Sequence, residues 1–387
     1  MNTLLGIIGG GQLGLYLCEA AQALGIKVAV ISDTADAPAL RSADKAIVAA
    51  LDSVPALDEF LACCNVVTFD KEDVPNETLA YLIDCQREGR ITIHPGVDTL
   101  LMIKDKALQK KWLQQQNLPT LPFYVSSEEL PSVDFLVTQF GRALVQKARC
   151  GGYDGRGVQI LDSLDCAEQL WNVPSIVEPY LKDCLEISVI TARDTLGGIQ
   201  TYPAVSMTFD AQLNSVSVVA MPASISPELA QTAVELAERV VTLLDGVGVF
   251  AIEMFISPEG ELLINEISPR VHNSGHVTMD ACNVSQFEQH VRAVTGLPLV
   301  AIVPETPAVM LNILYVEEMR ANCPAKSVVD KSVEPATSVY WYGKAPGQSG
   351  RKMGHINAVA PNTASATAKA SRAMKRLLSD NNSERAA

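Results

Sequence analysis

Two glutamates lie in neighbouring apolar segments of the sequence, where charged side chains are uncommon. Glu253 is part of FAIEMFI and Glu266 of LLINEIS, and the turn-forming sequence SPEGE separates the two segments. A carboxylate is costly to bury unless it is paired or bound to a metal ion. Two antiparallel strands would bring both side chains to one face, where they could hold Mg²⁺ on the phosphates of ATP. A salt-bridged carboxylate in each strand is the structural alternative.

A lysine at the end of another apolar segment introduces a glycine-rich loop. Lys147 begins the sequence KARCGGYDGRG, which also contains two arginines. The segment lacks the GK[ST] sequence of a P-loop, but backbone amides and cations can enclose a polyphosphate in a similar way. It is therefore a candidate phosphate-binding loop, with a surface hairpin as the alternative.

Two further glutamates flank a short linker in IVEPYLKDCLEISVI. Apolar strand residues lead to Glu178, and Glu186 begins the next apolar segment. Such a linker can offer backbone donors and acceptors to adenine, and a carboxylate can bind the hydroxyls of a ribose. A nucleotide-binding linker is one interpretation of this segment, and an ordinary connection between strands is the other.

Hydrogen-bond donors follow the second glutamate strand in NEISPRVHNSGH. Arg270, His272 and Asn273 are hydrogen-bond donors that come just after the predicted metal-binding strand. The spacing of His272 and His276 is also compatible with zinc. However, a proline and a glycine predict a loop here, and no third ligand is evident, so we do not expect zinc.

The N-terminal sequence contains a second glycine motif. Gly9, Gly11 and Gly14 form G-x-G-x-x-G between a predicted strand and a predicted helix, and Asp33 ends the next strand. This arrangement can bind a dinucleotide, but any anionic ligand can use the same helix N-terminus. We favour a phosphate other than that of a nicotinamide cofactor, and a purely structural turn remains an alternative.

The elements that would position these residues begin with an alternation of strands and helices. It predicts right-handed βαβ units and a parallel, Rossmann-like sheet in residues 1–95. The predicted strands are Leu4–Ile8, Lys27–Ile31, Ala46–Ala50 and Asn65–Phe69, and the first helix is Leu13–Leu24.

The remainder of the chain has a different pattern. A single helix is predicted over Asp98–Asn117, and the segments Val247–Ile256 and Glu261–Ile267 predict an antiparallel α+β unit with the helix Pro227–Leu244. Short strands, a polar loop and one terminal helix follow. The predicted fold class is thus α/β and α+β, with domains at 1–95, 96–299 and 300–387, the last small and β-rich.

Composition limits the kinds of partner. The 387 residues carry a formal net charge of −14, which argues against a nucleic-acid or anionic-membrane partner. No apolar run is long enough to span a bilayer, and the N-terminus lacks the basic residues of a signal peptide. Nine scattered cysteines without a CxxC pair indicate reduced thiols in a cytoplasmic protein.

These motifs, together with SQFEQHVRAVTGLPL and YGKAPGQSGRKMGHIN, resemble the N5-carboxyaminoimidazole ribonucleotide synthetase family of ATP-grasp enzymes nearly end to end. The resemblance implies central ATP-grasp lobes and the cofactors ATP and Mg²⁺. It implies carboxylation of 5-aminoimidazole ribonucleotide with bicarbonate, through carboxyphosphate, in purine biosynthesis. It also implies a homodimer.

The resemblance further implies roles for individual residues. The ATP-binding residues would be Lys106, Lys147, Tyr153, Asp154, Gly155, Gly157, Glu178, Pro179, Tyr180, Leu181, Glu186 and Asn265. Those binding aminoimidazole ribonucleotide would be Gly11, Gln12, Leu13, Glu72, Tyr153, Arg156, Lys344, Arg351 and Lys352. The catalytic residues would be Lys147, Arg270, His272 and Asn273, and Glu253 and Glu266 would bind Mg²⁺.

The sequence departs from the family pattern at two places. TFDKEDVP replaces an expected TFEFENVP, so that Asp70, Lys71 and Asp73 differ while Glu72 is kept. A polar pair expected after Tyr202-Pro203 is replaced by Ser206 and Met207. We expect these changes to affect substrate affinity more than the fold.

Three other functions are compatible with parts of the sequence. One is a different ATP-grasp ligase, such as a formate-dependent glycinamide ribonucleotide transformylase or a biotin carboxylase. A Rossmann-type NAD-dependent oxidoreductase would leave Glu253 and Glu266 unexplained. A non-catalytic nucleotide sensor is suggested only by Ser206 and Met207.

Overall fold

The fold is that of a computed structural model, which describes residues 4–126, 131–152, 157–161, 170–210, 215–317, 323–345, 347 and 349–383. In the part of the chain so described, no helix has both the length and the apolar character needed to cross a membrane.

The N-terminal region is a parallel sheet with strand order β3-β2-β1-β4-β5. Its elements are β1 Leu4–Ile8, α1 Gln12–Ala23, β2 Lys27–Ser32, the 3₁₀ helix Pro38–Arg41, β3 Lys45–Val48, α2 Val54–Leu61, β4 Val66–Phe69, α3 Asn76–Arg87 and β5 Thr92–Ile93. The predicted strands and first helix are confirmed to within two residues at their ends. The strand order reverses between β1 and β4, which is where open α/β sheets usually bind ligands.

The helical segment after this sheet contains two helices, so the prediction of a single helix over Asp98–Asn117 is wrong. The helices are α4 Val97–Lys104 and α5 Lys106–Gln115. Asp105 between them has an extended backbone, and its carboxylate accepts hydrogen bonds from the amides of Ala107 and Leu108. This N-cap starts a new helix at Lys106 because it satisfies amides that have no partner within the helix.

A small antiparallel sheet follows, with strand order β6-β9-β7-β8. Its elements are β6 Tyr124–Ser126, α6 Val133–Phe140, β7 Leu144–Ala148, β8 Val158–Leu161 and β9 Ser175–Pro179. Leu136, Leu144, Leu161 and Val177 form its core. Lys147 and Glu178 belong to the paired strands β7 and β9, so strand pairing brings these two distant residues close together.

The large antiparallel sheet has the order β15-β14-β10-β12-β13-β16-β19-β18-β17, with β11 paired to β10. Its elements are β10 Leu185–Arg193, β11 Ile199–Thr201, β12 Val205–Asp210, β13 Ser215–Met221, α7 Pro227–Leu244, β14 Gly248–Ile256, β15 Leu262–Ser268, the 3₁₀ helix Asn273–Gly275, α8 Thr278–Ala281, α9 Gln286–Thr295, β16 Ala308–Leu314, β17 Ser327–Asp330, β18 Thr337–Tyr342, β19 Lys352–Val359 and α10 Thr363–Ser383. The pairing of β13 with β16 continues the sheet across residue 300, where a domain boundary is predicted.

Candidate active site

The two glutamates of the predicted metal site are direct neighbours across strands β14 and β15. Glu253 and Glu266 are paired in the antiparallel register, as the sequence pattern predicts. Burial, and then the neighbouring Glu266 carboxylate, raise the pKa of Glu253 to about 8. Burial also disfavours ionisation of Glu266, but Lys106, 2.6 Å away, together with Lys147 and His272, outweighs it and lowers the pKa of Glu266. This carboxylate pair therefore has an electrostatic cost that a bound cation would relieve.

His272 contacts the first of these glutamates. Its Nε2 lies 3.2 Å from Oε1 of Glu253. The backbone amide of Ser274 donates to Nδ1 of His272, so a neutral imidazole carries its proton on Nε2, facing Glu253. In this arrangement His272 can orient the Glu253 carboxylate, and the catalytic role that the family resemblance implies for His272 stays a prediction.

A narrow cavity lies beside the carboxylate pair. It is lined by Lys106, Gln109, Lys110, Lys147, Ile176, Asn265 and Glu266. The Nζ atom of Lys147 lies 2.7 Å from Oδ1 of Asn265 and 2.7 Å from Oε2 of Glu178. The structure thus brings together Lys106, Lys147 and Asn265, three of the residues that the sequence assigns to ATP.

The side chain of Glu178 is held within the protein, and the prediction that this residue and the linker to Leu181 bind adenine stays a prediction. Only 1% of this side chain is exposed, and its two carboxylate oxygens pair with Lys110 and Lys147. Burial opposes ionisation of Glu178, but the two lysines outweigh it and lower its pKa to about 2. The carboxylate is buried between β9 and α5, and it is not among the groups that line the cavity.

The predicted nucleotide residues at the end of β9 and the start of β10 are not among those that line this cavity. Tyr180 follows β9, and its amide donates to the carbonyl of Ala143, which leaves this amide engaged within the protein. Pro179 ends β9, and Leu181 follows as a half-buried residue. Glu186 lies near the start of β10, where burial raises its pKa to about 7.

The glycine-rich loop is described only in part. Tyr153, Asp154, Gly155 and Arg156 lie outside the described residues, so their predicted roles stay predictions. Gly157 has a φ of +75°, a conformation that favours glycine, and it immediately precedes β8.

Sequence reasoning missed Lys110. It follows Lys106 by one helical turn on α5, and 2% of its side chain is exposed. The i,i+4 spacing of two lysines on a helix that begins with a predicted phosphate-binding residue was the available signal. Only the packing of α5 on β9 identifies the partner of Lys110.

The N-terminus of α1 already binds an anion, which belongs to the protein. The amides of Gly11 and Gly14 donate to Oδ2 of Asp70, at 2.6 Å and 3.3 Å. A Cβ atom at Gly9 would lie 1.7 Å from Oδ1 of the same carboxylate. These two amides are therefore engaged within the protein, and the contact of Gly11 with a ligand phosphate stays a prediction. Strands β1 and β4 are parallel neighbours, so the residues after them meet at one edge of the sheet.

The predicted ribonucleotide-binding residues bring together the N-terminal and later parts of the chain. Nζ of Lys344 donates to Oε1 of Gln12 at 2.6 Å. Glu72 pairs with Arg270 at 2.8 Å. The other residues of this set that the structure describes contact neighbours or are buried: Arg351 donates to the carbonyl of Ala345, Lys352 and Leu13 are buried, and Gly11 donates to Asp70.

Two further motif residues, Asn273 and His276, are buried near the site. The side-chain amide of Asn273 has no hydrogen-bond partner among the described residues, although buried polar groups normally have one. It is thus suited to binding a ligand. His276 stacks on His355 with ring centroids 4.6 Å apart, whereas His272 contacts Glu253. The two histidines therefore lie in different environments.

The departures from the family pattern have different structural settings. Lys71 pairs with Asp33 at 3.3 Å, and both side chains are substantially exposed. Met207 on β12 is buried and lies directly across from Glu186 on β10. An apolar side chain therefore stands next to a predicted ribose-binding carboxylate.

Comparison with protein families gives three matches that follow one another along the chain. Residues 1–104 match a ribonucleotide synthetase preATP-grasp domain, residues 111–287 an ATP-grasp domain, and residues 308–369 a phosphoribosylaminoimidazole carboxylase C-terminal domain.

Individual relatives match nearly the whole chain. An N5-carboxyaminoimidazole ribonucleotide synthase of Brucella melitensis is 35% identical, over 94% of this chain and 98% of the relative. A phosphoribosylaminoimidazole carboxylase of Ogataea methanolica is also 35% identical, and the match spans 92% of this chain but 66% of that longer protein.

Solved structures are similar over the same extent. The N5-carboxyaminoimidazole ribonucleotide synthetase of Thermotoga maritima has a TM-score of 0.83 and 36% identity, covering 96% of this chain and 98% of its own. The N5-carboxyaminoimidazole synthase of Aspergillus clavatus, in complex with ADP and 5-aminoimidazole ribonucleotide, has a TM-score of 0.83 and 28% identity, covering 97% and 99%.

Proposed function

The chain belongs to the N5-carboxyaminoimidazole ribonucleotide synthase family of ATP-grasp enzymes, and from this premise we propose that it carboxylates 5-aminoimidazole ribonucleotide with bicarbonate. It is an ATP-dependent ligase, and the products are N5-carboxyaminoimidazole ribonucleotide, ADP and phosphate. The observation that carries the proposal is one cavity lined by Lys106, Lys147 and Glu266, with Glu253 paired to Glu266 on the neighbouring strand. This reaction belongs to purine biosynthesis.

Mg²⁺ fits the carboxylate pair. Glu253 and Glu266 are cross-strand neighbours, and carboxylate oxygens are the ligands that Mg²⁺ prefers. His272 orients Glu253, and Lys106 holds Glu266. When bound there, Mg²⁺ would supply charge neutralisation for the transferred phosphoryl group.

The protein's own groups would support the two bond-forming steps. A bicarbonate oxygen attacks the γ-phosphorus of ATP as the bond to ADP breaks, and Lys147 and Arg270 stabilise the negative charge of the transferred group. The amine of aminoimidazole ribonucleotide then forms the new C–N bond as phosphate leaves and the amine loses a proton. The unpartnered amide of Asn273 is suited to hydrogen bonding with the bicarbonate or phosphate oxygens.

Substrate placement at the N-terminal sheet is supported by the contact between Lys344 and Gln12. This contact joins the loop before β19 to the N-terminus of α1. Lys344, Arg351 and Lys352 would bind the ribose phosphate, because the α1 amides of Gly11 and Gly14 are engaged by Asp70. An arginine suits the phosphate by bidentate contact, and a lysine acts as a point charge.

The family resemblance also supports a cytoplasmic homodimer. Sedimentation of the purified protein would test its assembly: a mass of about twice the 41.5 kDa chain is expected, and a concentration-independent monomer would contradict it.

The direct test of function is ADP release from the purified protein with ATP, Mg²⁺ and bicarbonate. We expect 5-aminoimidazole ribonucleotide to stimulate this release strongly, and omission of bicarbonate to abolish the stimulation. ATP turnover that does not respond to the ribonucleotide would instead indicate an ATP-grasp ligase with another acceptor. ATP binding without any turnover would favour a nucleotide sensor.

A further inference from the structure

Lys110 is a buried lysine that lines the cavity but does not belong to the predicted ATP-binding set. Its Nζ lies 2.6 Å from Oε1 of Glu178, 2.7 Å from Oγ1 of Thr120 and 3.5 Å from the carbonyl oxygen of Ile264. A lysine ammonium has three donors. Because these three acceptors surround it, the ammonium is held by the protein and is not directed at a ligand.

Glu178 connects this lysine to another one. Its Oε1 pairs with Lys110 and its Oε2 with Lys147, which also contacts Asn265. The two lysines and one carboxylate therefore carry one net positive charge. Without Lys110, a fully buried carboxylate would face Lys147 alone and cancel its charge.

We propose that Lys110 is a positioning residue for ATP binding, which acts through Glu178 to hold Lys147 in the cavity with its positive charge uncancelled. The inference rests on the proposed function, since it assumes that the cavity binds the phosphates of ATP. It assigns to Glu178 the task of orienting Lys147. Lys147 remains the residue that contacts the nucleotide.

The charge arithmetic gives a double-variant test. Lys110→Met removes the net positive charge of the group, whereas Lys110→Met combined with Glu178→Gln restores it. The glutamine also keeps an acceptor for Lys147. Lys111→Met is the matched control, because Lys111 is the next residue of the same helix and is exposed.

The measurement is the Kd for ATP by calorimetry in the presence of Mg²⁺, with thermal unfolding to check the fold. We expect Lys110→Met to raise the Kd about tenfold or more, which corresponds to one weakened charge interaction. The double variant should bind within about threefold of the wild type. The KM for aminoimidazole ribonucleotide should stay unchanged in both, which separates this role from a general loss of structure.

Two results would overturn the proposal. A folded Lys110→Met that binds ATP like the wild type would show that the charge of Lys110 is not needed. A folded double variant that binds ATP as weakly as Lys110→Met would show that Lys110 acts by its own contact with the nucleotide. If Lys110→Met does not fold, weak ATP binding by the folded double variant would show the same. ATP binding is measured without acceptor, so a wrong acceptor would leave this test intact.

Discussion

The edge of the parallel sheet and the cavity between the two antiparallel sheets both gather groups that attract negative charge. At the sheet edge, the amides of Gly11 and Gly14 are already occupied by the Asp70 carboxylate. In the cavity, Lys106 pairs with Glu266, and Lys110 and Lys147 share Glu178, so in these ion pairs three lysines face two carboxylates. A glycine motif thus indicates that an anion is bound, and its neighbours decide whether the anion comes from the protein or from a ligand.

The largest effect should come from breaking the acidic end of the cavity. Glu266→Ala removes a proposed Mg²⁺ ligand and leaves Lys106 without its carboxylate partner. We expect ADP release to fall about 10³-fold, which is the scale of a lost electrostatic contact to a transition state. Glu259→Ala, at the exposed turn of the same hairpin, is the control and should retain normal release. Full activity of Glu266→Ala would contradict the metal assignment.

Removing the Asp70 carboxylate tests whether the α1 amides can bind an external anion in its place. Asp70→Ala leaves the amides of Gly11 and Gly14 without their acceptor, so we expect a loss of about 1–2 kcal/mol in the free energy of unfolding. Added inorganic phosphate should stabilise the variant more than the wild type, as measured by thermal unfolding.

A matched pair of substitutions isolates the cause. Burial raises the pKa of Asp70, so its charged form is disfavoured there and a neutral amide avoids that cost. Asp70→Asn should therefore be more stable than Asp70→Ala, and Asp33→Ala, at an exposed residue after β2, should change little. Equal losses for the alanine and asparagine variants would mean that the hydrogen bonds to α1 are unimportant.

The cavity should also respond to pH through Lys110. Burial, and then the charges of Lys147 and Lys106, lower its pKa to about 8 despite the opposing effect of Glu178. Lys110 is thus protonated below pH 8 and loses its positive charge above it. Because ATP is anionic, we expect its Kd to rise with pH above 8, by a limit of about tenfold per pH unit for one linked proton.

Calorimetry between pH 7 and 9.5 would measure this dependence. The variant carrying both Lys110→Met and Glu178→Gln lacks the titrating group and corrects for all other ionisations. A wild type and a double variant with the same pH dependence would contradict the assignment to Lys110.

The smallest effect is expected at the exposed ion pair beside the sheet edge. Lys71 and Asp33 lie 3.3 Å apart in a substantially exposed position. Lys71→Ala should lower the free energy of unfolding, measured by urea denaturation, by only about 0.2–1 kcal/mol. The KM for ATP should not change. A larger loss of stability, or a change in KM, would show that Lys71 does more than form an exposed ion pair.

Local pattern was sufficient to predict much of the fold. The strands of the parallel sheet, helix α7 and the hairpin that pairs Glu253 with Glu266 follow from apolar periodicity and turn residues, which act over a few neighbouring positions. The break at Asp105 was missed, because its N-cap competes with a helical pattern that continues on both sides. The roles that the family resemblance gives to single residues stay predictions.

The sequence by itself determined many of the strands and helices and which residue types could bind phosphate and metal. Tertiary structure alone decided that Asp70 occupies the α1 amides, that Lys110 and Lys147 share Glu178, and that β13 pairs with β16. The physical reason is that hydrogen bonds and ion pairs depend on distances between atoms. For residues far apart in the chain, those distances are set by the packing of whole strands and helices.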